Sequence, residues 1–158
     1  MDQRDRPRFA VDSMLGTLAK WLRIMGYDTI YFQRGEDVAL ERIALRGRRI
    51  LLTRDRGIVK RGNCRSILIR SDQLFQQLTQ VIRELGLELR GEAFTRCVIC
   101  NLPLTPMERE EAKAKVPSYV YQTQERFITC RGCGRVYWSG THWKKMAERL
   151  KEIIGAHG

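Results

Sequence analysis

Three observations predict an α/β fold, a parallel sheet flanked by helices, extended by a small cysteine-bearing module and a terminal helix. Strand-length apolar runs alternate with helical periodicity before residue 93, two C-x-x-C pairs come after it, and the last residues carry one apolar helical stripe. A chain of 158 residues has room for one medium domain and a compact appendage.

Each element has its own local reason. Residues 8–12, "RFAVD", have the apolar character of a buried strand. Residues 13–25 follow as a helix, because Leu15, Leu18, Leu22 and Met25 recur at helical spacing and Gly26 suits its end. "DTIYF" is a second strand, residues 37–45 a short helix burying Val38, Leu40, Ile43 and Ala44, and "RRILLT" the third strand. "RSILIR" reads as a fourth strand, and residues 71–85 as a long amphipathic helix with Ser71 placed to cap it. Strands separated by helices need right-handed crossovers and therefore pair in parallel. The order of the strands is not legible.

Five cysteines in a chain without a signal-peptide pattern argue for metal rather than disulfides. Cys97 and Cys100 form one C-x-x-C turn, and Cys130 and Cys133 another. Two such turns complete a closed tetrahedral shell for a structural zinc ion, with no open position for catalysis. The insertion between them holds three prolines and then "SYVYQTQERFITC", which reads as strand. This is the outline of a zinc ribbon. Cys64 is left over as a free thiol. The predicted division is residues 1–93 as the α/β domain and 94–158 as ribbon plus terminal helix, with Trp143, Met146, Leu150 and Ile153 or Ile154 on that helix's apolar face.

The net charge of +11 favours encounter with a polyanion such as nucleic acid, although many basic proteins bind none. No apolar run approaches the roughly 18 residues of a membrane span, so no spanning helix is expected, and a cytoplasmic location is. With two histidines, imidazole acid–base catalysis is not expected. A protein partner is not specified by the residues.

In a parallel sheet, residues just past the carboxyl ends of the strands converge on the edge where ligands bind. Asp12 ends the first strand, Asp55 follows "ILLT", and Asp37 opens the helix that returns from the second strand. Taken singly, each could be an ordinary cap or turn residue. Together they form a candidate set of hard oxygen ligands for Mg²⁺ or Mn²⁺. Asp72 is a candidate fourth acid, or a routine acid at a helix start. Lys20, Arg23, Arg54 and Arg56 are candidate phosphate contacts, with a solvated basic face as the alternative. Tyr137 and Trp138, near Arg131 and Arg135, suit a single strand of RNA, or else pack the ribbon on the last helix.

The stretches "FAVDSMLGTLAKWLRIMGYDTIYF" and "RILLTRDRG", then "C-x-x-CN-x-PL" and "F-x-x-C-x-x-CGRVYWSGTHW-x-x-M", resemble the PIN-like RNase domain with C-terminal zinc ribbon first described at the end of Mutator-seven-type exonucleases. The resemblance spans about residues 9–146. It implies a PIN-like fold and a metal-dependent ribonuclease, with catalytic acids at Asp12, Asp37 and Asp55 holding Mg²⁺ or Mn²⁺. It departs at Gly57, where PIN-type sites usually carry a further acid, and this takes away a ligand for a second ion. The alternative function is an inactive RNA-binding module built from the same fold and ribbon.

Overall fold

The computed structural model describes residues 6–89 and 94–155; the expected boundary near residue 93 lies outside them. The first part runs β1 (Phe9–Val11), a 3-10 turn (Ser13–Leu15), α1 (Gly16–Ile24), β2 (Thr29–Tyr31), α2 (Asp37–Arg46), β3 (Ile50–Thr53), α3 (Arg56–Arg61), β4 (Ser66–Leu68) and α4 (Leu74–Leu85). Its four strands pair in parallel in the order β2-β1-β3-β4. β1 and β3 are central, and every residue in them is buried. Burial on both faces explains why these strands read as continuous apolar runs.

Alternation along the strands divides the core into two layers. Phe9, Val11, Ile50 and Leu52 face α1 and α4, where Leu15, Leu18, Leu22, Leu78 and Val81 are buried. Ala10 and Leu51 face the other way, toward Leu40 and Ala44 of α2 and Ile58 of α3. α2 offers less than expected: Val38 is 58% exposed. It precedes the first turn that meets the sheet, so Leu40 and Ala44 carry the packing.

Two elements differ from the sequence reading at the local level. α3 was not expected, because only Ile58 of its six residues is buried and periodicity is silent on so short a helix. Its boundary residues were the available signal, with Asp55 accepting the Gly57 amide at 2.7 Å and Gly62 closing the turn at φ 64. α4 begins at Leu74, so Ser71 is not its cap; its hydroxyl accepts the Gln73 amide at 3.0 Å and bonds Gln76.

The second part contains β5 (Thr105–Met107), α5 (Arg109–Ala112), α6 (Ser118–Thr123), β6 (Phe127–Thr129), β7 (Val136–Tyr137) and α7 (Thr141–Gly155), the three strands forming an antiparallel sheet. The expected strand over 118–130 is half helix. Pro117 stands just before α6, and only Val120 of that turn is buried, against Ala112 and Phe127, so tertiary packing overrode β-propensity. α7 returns to the first core, where Leu150 is fully buried beside α4. Among the described residues no helix is long and apolar enough to cross a membrane.

Leu150→Ala should therefore lower unfolding free energy by about 2 to 5 kcal/mol in urea titration, as buried Leu truncations do. Tyr119→Ala, at a 69% exposed position, should change it by no more than about 0.5 kcal/mol.

Candidate active site and metal centre

The chain leaves β1 toward β2 on one side and leaves β3 toward β4 on the other, so the crossovers diverge between the two central strands. At such a switch point, a crevice opens at the carboxyl ends of the strands. Asp12 stands at the end of β1 and Asp55 just past β3. Buried Thr53 ties them together: its hydroxyl donates to Asp12 Oδ2 at 2.8 Å and accepts the Asp55 amide at 3.0 Å. Asp12 Oδ1 accepts the Ser13 amide at 2.7 Å. Tyr31, at the end of β2, reaches over this turn and donates to the Ser13 carbonyl at 2.6 Å. A Cβ at Gly16 would lie 2.8 Å from the phenol oxygen, so any larger residue there would have to displace the Tyr31 ring.

Asp37 opens α2 and is half exposed, with Oδ2 3.7 Å from Arg61 Nη2. Arg61 was not singled out in the sequence. Buried Glu41, one turn after Asp37, accepts from Arg61 Nε at 3.0 Å and Nη2 at 2.6 Å, and from Asn63 at 2.6 Å. The hydrogen bonds from Asn63 and Arg61 hold the Glu41 carboxyl below the usual carboxylate range. Glu41 raises the Arg61 pKa, and the charges of Asp37 and Asp55 add to that. A Cβ at Gly57 would lie 3.0 Å from Asp55 Oδ1 and 3.6 Å from Arg61 Nη1. A guanidinium thus stands beside the position where the resemblance led one to expect an acid. The pair spans 20 residues of sequence, and no local pattern announces it.

Asp72 is exposed in the loop after β4 and shares no hydrogen bond with the other three acids. Lys20 and Arg56 are exposed; Arg54 is half-buried, and its Nη1 is buried without a hydrogen-bond partner. Arg23 is 8% exposed, its Nε donating to the Thr29 carbonyl at 2.9 Å and its Nη1 to those of Val98 at 2.8 Å and Ile99 at 3.2 Å. It is placed to hold backbone, not to meet a phosphate from solvent. Asp12, Asp37 and Asp55 do not form a close group of ligand atoms of the kind the cysteines form. Their hard oxygens suit Mg²⁺ or Mn²⁺, and Mg²⁺ keeps several waters where protein ligands are few.

The four cysteines do converge. The sulfurs of Cys97, Cys100, Cys130 and Cys133 all lie within 4.8 Å of one another, the one group of this kind among the described residues. Cys97 and Cys133 are 3.8 Å apart, and a tetrahedral shell with Zn–S of about 2.3 Å separates its sulfurs by about 3.8 Å. Amides of Cys100 and Gly132 point at Cys97 and Cys130, at 3.4 and 3.3 Å. Burial pushes the Cys97 thiol up, but hydrogen bonds, that of Tyr137 foremost, bring it down to about 6. Burial and hydrogen bonds with Cys133 and Cys130 push Cys100 up to about 12. Sulfurs this close cannot all ionise without a cation among them. Cys64 lies elsewhere, half-buried beside α2.

Each knuckle turns left-handed just after its second cysteine, at Asn101 (φ 65) and Gly134 (φ 75). Asn101 puts a side chain where Gly134 has none. Its amide donates to Asp28 at 2.7 Å and accepts the Thr29 amide, on edge strand β2, at 2.9 Å. Arg49 holds the same Asp28 at 2.8 Å. Burial pushes the Asp28 carboxyl up, but the bonds from Arg49 and Asn101 outweigh it and leave it below its ordinary value.

The sequence model of the Mut7-C RNAse domain matches residues 7–150, across both the sheet and the cysteine cluster. The chain belongs to the Mut7-C RNAse domain family. No curated protein and no solved structure shows a significant match to it. In this Mut7-C RNAse domain the match begins before β1 and ends within α7, so the elements that form the aspartate edge and those that form the cysteine cluster lie inside one family unit.

The purified protein should carry about one zinc per chain by metal analysis, and Cys100→Ser should release it and open residues 94–140 to protease. Asn101→Gly keeps the left-handed backbone but removes the bonds to Asp28 and Thr29. It should lower stability by about 1 to 3 kcal/mol in chemical denaturation with zinc content unchanged.

Proposed function

We propose that this protein is a divalent-metal-dependent ribonuclease that hydrolyses RNA phosphodiester bonds, with a resident structural zinc in the ribbon. The observation that carries the reading is the Asp12–Thr53–Asp55 unit at the switch point of the sheet. Membership of an RNase domain family supports RNA as the substrate class.

Asp12, Asp37 and Asp55 would hold the Mg²⁺ or Mn²⁺ ion, which when bound supplies an acidified water and charge stabilisation for the leaving oxygen. Thr53 commits its single proton to Asp12 Oδ2, which fixes the orientation of that carboxylate. Glu41 holds Arg61 beside Asp37 and Asp55, where the guanidinium lowers the repulsion between the acids and offers Nη1 toward a phosphate oxygen. Exposed Arg56 and Lys20 would add phosphate contacts, and half-buried Arg54, whose Nη1 is enclosed, would contribute only through the rest of its guanidinium. Arg23 drops out of that set. Arg61 in the place of a further acid also favours the second reading, an RNA-binding module without catalysis, because it reduces the negative charge available to an ion.

Cleavage of labelled RNA with Mg²⁺ or Mn²⁺ decides between them. Asp55→Asn and Asp12→Asn should each reduce cleavage at least a hundredfold, the double variant no further, and RNA binding without divalent ions should stay equal or tighten. Binding should weaken steeply with salt, and Arg56→Ala should flatten the slope. Normal cleavage by Asp55→Asn removes it from the site; no cleavage by the wild type with either ion leaves the binding module.

A further inference from the structure

α1 starts at the aspartate edge and leads away from it. On its exposed side, Thr17 and Lys20 line a cavity of about 420 Å³ whose far wall is Tyr137, Trp138 and Trp143. Those three aromatics, with Phe94, also line a neighbouring hollow of about 660 Å³. Arg126, Lys144 and Lys151 border that second hollow, against one acid, Glu148. One continuous aromatic wall is therefore flanked by cations at both ends.

These rings have structural duties. Phe94 and Trp143 lie against one another with centroids 3.8 Å apart, the Tyr137 hydroxyl is 3.3 Å from Cys97 Sγ, and Trp138 packs beside Phe127. Packing alone, however, would bury them. Tyr137, Trp138 and Trp143 each stay only half-buried and line the hollows. Stacking on such faces tolerates any base, and flanking cations match the phosphates of a strand. Duplex bases are already stacked, so the fitting occupant is a single strand.

We propose that the Thr17–Trp138 cavity takes an unstacked base of a single-stranded RNA whose backbone continues to the Asp12–Asp55 edge. From Asp12 the chain climbs about 2 Å per residue through the 3-10 turn to Leu15 and about 1.5 Å per residue on to Lys20, about 13 Å in all, so the base in the cavity belongs to a nucleotide close to the one being cut. Ligand recognition is then divided: the sheet edge meets phosphate and the ribbon face meets a base. This rests on the ribonuclease reading for the position of the strand, though not for the binding itself.

The test uses the full, zinc-loaded Asp55→Asn chain and a short oligouridylate carrying 4-thiouridine. After irradiation, mass spectrometry should locate adducts on Tyr137, Trp138 or Trp143. Thr17→Met, a longer exposed side chain that narrows the mouth without touching the core, should lower those adducts several-fold. The same oligonucleotide with one abasic residue should bind about fivefold or more weakly than the intact one. Adducts confined to the Arg54–Arg56 edge, or equal affinity for the abasic and intact strands, would overturn the proposal. If the wild type cleaves RNA but adducts avoid the aromatic wall, the groove falls and the nuclease reading stands. If it cleaves nothing yet the adducts lie on Trp138 or its neighbours, the groove stands and the nuclease reading falls.

Discussion

The left-handed turn at Asn101 is the constraint on which the arrangement of the whole molecule depends. A knuckle needs a residue of positive φ after its second cysteine, and glycine meets that need at Gly134 without further consequence. Asparagine tolerates the same backbone and adds a donor and an acceptor. Both are used on the edge of the parallel sheet, where the side-chain oxygen accepts the Thr29 amide and the side-chain amide joins Arg49 in binding Asp28. The Cys97–Cys100 knuckle is thereby joined to a sheet edge. Buried Arg23 reinforces it from α1 by binding the two carbonyls that precede Cys100. Because such an arginine would be expensive to leave unpaired, the knuckle and α1 hold each other in place.

That docking sets the geometry of everything after it. With the ribbon fixed against β2 and α1, α7 can reach back to α4, and Leu150, Trp143 and Met146 complete the first core. The aromatic wall forms only because the second hairpin ends beside the exposed side of α1. The cysteine cluster is thus tied directly to that surface, since Tyr137 belongs to the wall and its hydroxyl lies 3.3 Å from Cys97 Sγ.

The aspartate edge works on a different principle, the management of like charges. Asp12 and Asp55 are fixed by a hydroxyl that serves one through its proton and the other through its lone pair. Arg61, oriented by Glu41 and Asn63 from the side, supplies positive charge near Asp37 and Asp55. Arg61 also stands beside Gly57, the position where a further carboxylate was expected.

The sequence by itself determined whatever depends on local pattern. Apolar runs set the central strands, helical spacing set α1, and the paired C-x-x-C turns set the cysteine cluster, because strand burial, helix faces and knuckle chemistry each leave a signature within a few residues. The positions of Asp12 and Asp55 at strand ends were legible for the same reason. Tertiary structure alone decided the strand order that puts β1 beside β3, the helical turn at α6 where propensity pointed to a strand, and the clamp by Arg23 that removes it from the surface. Arg61 with Glu41, and Asn101 with Asp28, are joined across 20 and 73 residues of chain. Such pairings depend on how finished elements pack, and packing is a property of the folded whole that no window of sequence contains.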